Sequence, residues 1–337
     1  MKGVLLVNLG SPQSTDPKDV KKYLDEFLMD ERVIDVPWLL RAFIVKGIIL
    51  NTRPKKSAEA YEKIWWDEGS PLIVLSERLQ EKIDAQTSVP IALAMRYGEP
   101  SLEMGLRELV EKGVDEILLL PLYPQFAMAT TETIVVLAEE LKRKFFPHIS
   151  YTTIPAFYNH PDYLHVLSKS IAESLEKIDF EILLFSYHGL PERHIRKNDI
   201  TRSHCKIDGS CCQTPSPAHQ FCYRHQCLET TRLVAERLNL EPGTYQTSFQ
   251  SRLGFDPWLK PYTDRTIEKL GLSGVKKLAV VTPAFVSDCL ETLEEIAMQG
   301  KEIFEEVGGE EYNCLPCLND RQDWVNTLSR WIDEWAN

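Results

Sequence analysis

No stretch of this 337-residue sequence is apolar for long enough to cross a bilayer, so helical membrane-spanning proteins are set aside first. The longest apolar stretch beyond the N-terminus, Val36 to Leu50, is broken by Pro37, Arg41, Lys46 and Gly47. A secretory leader is missing too. Val4-Leu5-Leu6-Val7 follows a single Lys, but Asn8, Gly10 and Pro12 end the run too early for a signal core. With neither feature, the cytoplasm is the expected location. Positive charge is in deficit, with 38 Lys and Arg against 50 Asp and Glu and a net charge of −12. A nucleic-acid binder needs clustered cations for the phosphates, so that class is disfavoured. A few local arginines can still hold an anionic substrate. Low-complexity segments and repeats of 20–50 residues are absent as well, which excludes solenoids and propellers.

What is present is the mixture of an ordinary soluble chain, 43% hydrophobic and 26% charged. Its length allows two domains and a core that needs no disulfides. Short Leu-rich or β-branched runs predict strands at Gly3–Asn8, Ile91–Ala94, Glu116–Leu120, Ser150–Ile154, Ile182–Ser186, Tyr245–Phe249 and Lys277–Thr282. Several are apolar at almost every position, the pattern of strands covered on both faces of a parallel sheet. Helical patterns lie between them, at Asp16–Phe27, Ser101–Lys112, Glu132–Lys144, Tyr163–Glu176 and Leu228–Leu238. Arg321–Trp335 reads as an amphipathic closing helix. This alternation predicts an α/β chain of two Rossmann-like, doubly wound domains with parallel sheets and a cleft between them. The expected division is residues 1–161 and 162–337, with a boundary near His160–Tyr163. Ligands of such folds sit beyond the carboxyl ends of the strands.

His188 stands at one such end, after the buried run Ile182–Phe185, where Gly189 and Pro191 turn the chain away. An imidazole there can take a proton or ligate a metal. The same position also suits a histidine that merely bonds a loop carbonyl. After the last predicted strand, Asp288, Glu291 and Glu295 fall at i, i+3 and i+7 on one helical stripe. Stacked like charges repel unless a cation or protons compensate them, which suits passage of a divalent metal or of protons. The plainer reading makes Ser287 or Asp288 an N-cap, with Glu291 complementing the helix dipole.

Five stretches together resemble the ferrochelatase family. They are Asn8-Leu9-Gly10-Ser11-Pro12, Leu122-Tyr123-Pro124-Gln125-Phe126 with Thr130-Thr131, Ser186-Tyr187-His188-Gly189-Leu190-Pro191, Gln250 to Leu259, and Phe285 to Ile296. The resemblance runs over nearly the whole chain. It implies insertion of Fe²⁺ into a porphyrin held between the domains, strained into a saddle by remote contacts. It also implies that His188 and Glu291 are the catalytic pair and, with Asp288 and Glu295, the metal-handling residues. Leu9, Tyr123, Phe126 and Trp258 would line the porphyrin site, with Arg96 and Ser251, then Arg252 and Arg53, as propionate partners. The Tyr123-Pro124-Gln125 signature and the apolar lip at 36–50 favour protoporphyrin IX over coproporphyrin. That lip would also rest on a membrane surface. A monomer or homodimer is expected. Other tetrapyrrole chelatases, or an iron–sulfur redox or sensing protein, are the competing readings.

The cysteines carry that last alternative. Cys205, Cys211, Cys212, Cys222 and Cys227 fall in a polar insertion, 201–227, that also holds His204, His219 and His225. A cytosolic chain keeps thiols unpaired. Some ferrochelatases carry a [2Fe–2S] cluster, and by that resemblance Cys205, Cys212, Cys222 and Cys227 are its candidate ligands. Zinc is the second choice, and unligated thiols the third. Cys314 and Cys317 read as structural thiols, and Cys289 as packing.

Overall fold

The computed structural model describes residues 1–337 apart from Ile207 and Phe255, so the Phe255 position of the Gln250–Leu259 stretch lies outside the described residues. Among the described residues, eight strands form two sheets: β1 Lys2–Asn8, β2 Ile91–Met95, β3 Glu116–Pro121, β4 Ser150–Thr153, β5 Ile182–His188, β6 Tyr245–Gln250, β7 Lys277–Val281 and β8 Glu311–Cys314. The first sheet runs β2-β1-β3-β4 and the second β6-β5-β7-β8. Every pairing within them is parallel. Each half therefore places its first strand second in the sheet, and the same order is used twice.

The central strands explain this arrangement. Val4, Leu5, Leu6 and Val7 of β1 are all fully buried, because helices cover both faces. Val4 and Leu6 belong to a core shared with the second half, whereas Leu5 and Val7 pack with the helix Leu102–Glu111. Each such side chain contributes roughly 1.5–3 kcal/mol as an upper estimate. The shared core continues into Phe157, Tyr163, Trp324, Val325, Leu328 and Trp331. The last helix, Gln322–Ala336, supplies four of these, and its end accepts hydrogen bonds from Lys2 Nζ at Trp335 O and Ala336 O. It therefore crosses from the second half to the first.

Three segments depart from ordinary helix. Phe43–Ile49, Met128–Glu132 and Glu291–Gln299 are π-helical. Such wide turns are rare and cluster at functional sites. β8 was missing from the sequence reading, because Glu-Tyr-Asn-Cys at a sheet edge has no apolar run. The insertion is ordered sooner than its polarity suggests. It contains 3₁₀ turns at Ser210–Gln213 and Pro217–Phe221, and the next helix begins at Tyr223 rather than near Leu228. Among the described residues, no helix is long and apolar enough to cross a membrane.

Candidate active site

The carboxyl ends of β1, β3, β5 and β7 open into one cleft. Its walls are Asn8–Ser11 after β1, Leu122, Tyr123 and Gln125 after β3, His188 and Leu190 at β5, and Ala284–Ser287 with Cys289–Glu291 after β7. Tyr23, Phe27 and Tyr61 close it from the helical side. The space, including its open mouth, is about 1040 Å³.

His188 and Glu291 both face this cleft. His188 ends β5, paired in register with Gln250. Its Nδ1 lies 2.7 Å from the Gly189 carbonyl oxygen. A carbonyl only accepts, so Nδ1 is the donor here, and in the neutral ring that tautomer leaves the Nε2 lone pair free. The bland carbonyl bond anticipated for this histidine is thus what leaves a base free. Gly189 allows the turn: its N–H donates to Gln250 O at 2.6 Å, and a Cβ there would meet Gln250 O at 2.8 Å and Ser251 O at 2.9 Å.

Glu291 is the first residue of the π-helical segment, and Glu295 follows one turn on. Bonding from i to i+5 widens the turn, so residues four apart approach the same face more closely than in an α-helix. Glu295 accepts from the Ser251 amide at 2.8 Å and from its hydroxyl at 2.5 Å. Burial pushes the Glu295 carboxyl above its ordinary range, and the Glu291 charge adds to this. The Ser251 bonds and the His188 imidazole pull the other way. Imidazole and the two glutamates therefore form one electrostatic unit.

Asp288 does not join it. Its carboxylate accepts from Thr292 Oγ1 at 3.0 Å and from Asn319 Nδ2 at 2.7 Å, and the Cys317 amide lies at 3.4 Å. The wide helix starts too late for Asp288 to share the stripe, so it ties down the preceding loop instead. Five other expected site residues also lie away from the cleft wall. Arg96 is committed to Asp30 at 2.5 Å and to Thr133 Oγ1 at 2.7 Å. Phe126 stacks edge-on with Phe221, 5.0 Å between centroids, and so meets the insertion. Ser251 is used by Glu295, and the Trp258 indole donates to Leu253 O at 3.0 Å beside Gly189. Arg252 pairs with Asp264 at 2.8 Å. Leu9 and Tyr123 do line the cleft, and the buried Tyr123 hydroxyl has no protein partner.

Sequence reasoning missed Tyr23, Phe27 and Tyr61, which sit in helices with nothing local to distinguish them. Gln125 was inside a quoted motif but unassigned; its amide spans the halves, donating to Thr230 Oγ1 at 3.2 Å and to Pro283 O at 3.3 Å. Cys289 also reaches the cleft. Burial pushes its thiol up, and neighbouring Glu291 adds to this.

The lip forms the helical run Trp38–Ala42 and Phe43–Ile49 at the mouth. Trp38, Leu39, Leu40, Phe43 and Ile48 are exposed, while Arg41 turns inward and donates to Ile34 O and Val36 O at 3.2 and 3.1 Å. Just ahead of it, buried Asp35 is gripped by Arg193, Lys197 and His194, the last with Nε2 at 3.1 Å. These three belong to the helix Glu192–Lys197, which follows the His188 turn. Hydrogen bonds from Lys197 and Arg193 outweigh burial and hold the Asp35 carboxyl down at about 2.

In the insertion all the cysteines are free. The Cys212 thiol is held down to about 5, first by a hydrogen bond from Cys222 and also by Arg224, whose Nε lies 3.3 Å from Sγ. Cys222 is correspondingly pushed up, and burial raises Cys205 and Cys227. Among the described residues, no three His, Cys, Asp or Glu side chains form a group that could hold a metal ion.

A family model described as Ferrochelatase matches residues 1–335. The chain belongs to the ferrochelatase family. That makes it a porphyrin metallochelatase. Ferrochelatase of Ectopseudomonas mendocina (strain ymp) is 51% identical over 327 residues, covering 96% of this chain and 95% of the relative. Ferrochelatase of Opitutus terrae is 47% identical over 337 residues, covering 99% and 97%. Among solved structures, SirB from Bacillus subtilis with Fe³⁺ superposes with a TM-score of 0.53 at 12% identity, covering 99% of this chain and 94% of SirB. That likeness speaks for the two-sheet fold alone.

Proposed function

We propose that this protein inserts Fe²⁺ into protoporphyrin IX to give protohaem, the last step of haem synthesis, with residues 1–161 and 162–337 as the two lobes of the cleft. The observation that carries this is the meeting of His188 and Glu291 on one cleft in a chain of this family. The free Nε2 of His188 accepts a pyrrole proton, and Glu291 and Glu295 pass charge away along the wide helix. Leu9 and Tyr123 contact the macrocycle. Anaerobic assays with Fe²⁺ and either protoporphyrin IX or coproporphyrin III test the substrate. A preference of at least about tenfold for protoporphyrin, some 1.4 kcal/mol of discrimination, is expected. The reverse preference moves the reading to a coproporphyrin chelatase.

The outward hydrocarbon of Trp38, Leu39, Leu40, Phe43 and Ile48 supports peripheral contact of the lip with a membrane. Vesicle flotation of the wild type and of L39E/F43E tests it, with loss of flotation expected in the variant.

The thiols of Cys205, Cys212, Cys222 and Cys227 suit a [2Fe–2S] cluster in donor type, and Arg224 offers charge compensation to the Cys212 thiolate. Bound there, a cluster would supply one-electron redox character and would cross-link the insertion. Iron and sulfide analysis with a visible spectrum tests this, and C212S should remove the bands. A whole-chain family match weighs against a purely redox or sensing role.

A further inference from the structure

The insertion carries three histidines that the chelatase chemistry does not use. His204 precedes Cys205, His219 lies on the 3₁₀ turn Pro217–Phe221, and His225 is in the first turn of the helix Tyr223–Arg237. Nε2 of His204 stands 3.2 Å from Nε2 of His219. The Cys211 carbonyl oxygen lies 3.0 Å from the first and 3.3 Å from the second. Three donor atoms thus make a nearly equilateral triangle. His225 stacks on His219 with centroids 3.5 Å apart and planes within 12°, while its own Nδ1 meets Cys212 O at 2.9 Å, which fixes the plane of the His219 ring.

No placement of the ring protons satisfies all three edges. With a hydrogen on both Nε2 atoms, two N–H groups confront each other. With a hydrogen on one, that N–H is shared between the other nitrogen and the carbonyl oxygen, and the two acceptors face each other unbonded across the third edge. With none, all three atoms present lone pairs. A cation seated just above the plane of the triangle satisfies the three together. For Zn–N bonds of about 2.0–2.1 Å, tetrahedral geometry sets neighbouring donors about 3.3–3.4 Å apart, close to the edges seen here.

We propose that His204, His219 and the Cys211 carbonyl form a binding site for one Zn²⁺ ion, distinct from the His188 cleft and from the thiols. Two imidazoles with a carbonyl select a borderline cation over Mg²⁺ or Ca²⁺. All three histidines are partly exposed, so the ion has an entrance and a water has room as fourth ligand. Bound zinc would pin residues 204, 211 and 219 together and brace the insertion from outside. The site stands whether or not the thiols hold a cluster.

The test titrates Zn²⁺ alone, without porphyrin, into full-length protein carrying H188A, so that the cleft does not compete. Affinity is read against a chromophoric chelator, and the zinc-edge X-ray absorption spectrum gives the donor atoms. One tight equivalent with a nitrogen and oxygen shell is expected. Adding H204Q or H219Q, which keep a hydrogen-bonding amide, should weaken it more than about tenfold, the least that ligand-shell changes usually cost. Their metal-free melting temperatures should match the parent, which separates ligand loss from misfolding. Absence of a tight equivalent, a sulfur shell near 2.3 Å, or unchanged affinity in both variants overturns the site.

Discussion

Ser251 closes on Glu295 with two hydrogen bonds, one from its amide and one from its hydroxyl. The contact joins the loop after β6 to the wide helix after β7, and it opposes the burial that raises the Glu295 carboxyl. A residue assigned to substrate from its motif is therefore spent on tuning a neighbouring acid. Its backbone sits at φ +60°, which strains a non-glycine residue and marks how tightly the turn is held.

Replacing Ser251 with Ala should raise the Glu295 carboxyl further, since only the amide bond remains. That carboxyl then needs a higher pH to be ionised and ready to accept a proton, so the acidic limb of the kcat/KM profile should move upward. Stability follows the same sign. A carboxyl that binds its proton more tightly when folded costs stability as pH rises from its unfolded value of about 4.3 through its folded value. S251A should steepen that loss in melting curves collected across the range. An unmoved acidic limb would detach Glu295 from the reaction.

His188→Ala should lower kcat by about 10²–10⁴, the usual contribution of a positioned base, with porphyrin KM within about threefold of wild type. His188→Gln should do no better, because an amide cannot accept the proton. Steady-state kinetics with Fe²⁺ and protoporphyrin read both parameters.

Asp288→Ala should act on folding rather than chemistry. Thr292, Asn319 and the Cys317 amide all lose a buried acceptor, which costs about 2–4 kcal/mol. The fraction that remains folded should retain kcat/KM within about threefold. A selective kinetic defect at full stability would return Asp288 to the metal path.

The contrast between Asp288 and Glu295 shows what the sequence could convey. Strand runs such as Val4–Val7 and Leu183–Phe185 announce themselves because doubly covered strands must be apolar, whereas Ser150–Thr153 and Tyr245–Gln250 were legible only through their β-branched and aromatic residues. His188 was legible because a strand, a histidine and a Gly-x-Pro turn leave little choice of position. The acidic stripe was drawn with α-helical spacing, and nothing in Glu291–Gln299 reveals the wider turn that admits Glu295 and leaves Asp288 behind. Arg96 was invisible as a structural residue, since its partner Asp30 lies 66 positions earlier. Tyr23, Phe27 and Tyr61 reach the cleft only through tertiary packing.

Asp35→Asn should loosen the lip. Removing its charge leaves Lys197 without its partner and Arg193 with Asp256 alone; both reach solvent, so the cost falls to about 1–3 kcal/mol, below that of a fully buried pair. Chymotrypsin should then cleave near Trp38–Phe43 faster than in the wild type, with slower cleavage on adding porphyrin. The depressed Asp35 carboxyl contributes stability that is complete above its unfolded value of about 3.9 and disappears as pH falls towards about 2. Wild-type lip protection should fade in that window, and D35N should show no such fading.

Gly189 carries no reacting group, yet a single added methyl there would collide with two consecutive carbonyls, those of Gln250 and Ser251. Pushing them aside would slacken the grip on Glu295 and tilt the imidazole next door in one movement. Variant interpretation for this chain should accordingly treat position 189 as intolerant: an inherited alanine there would disable the enzyme while leaving every reacting group in the gene intact.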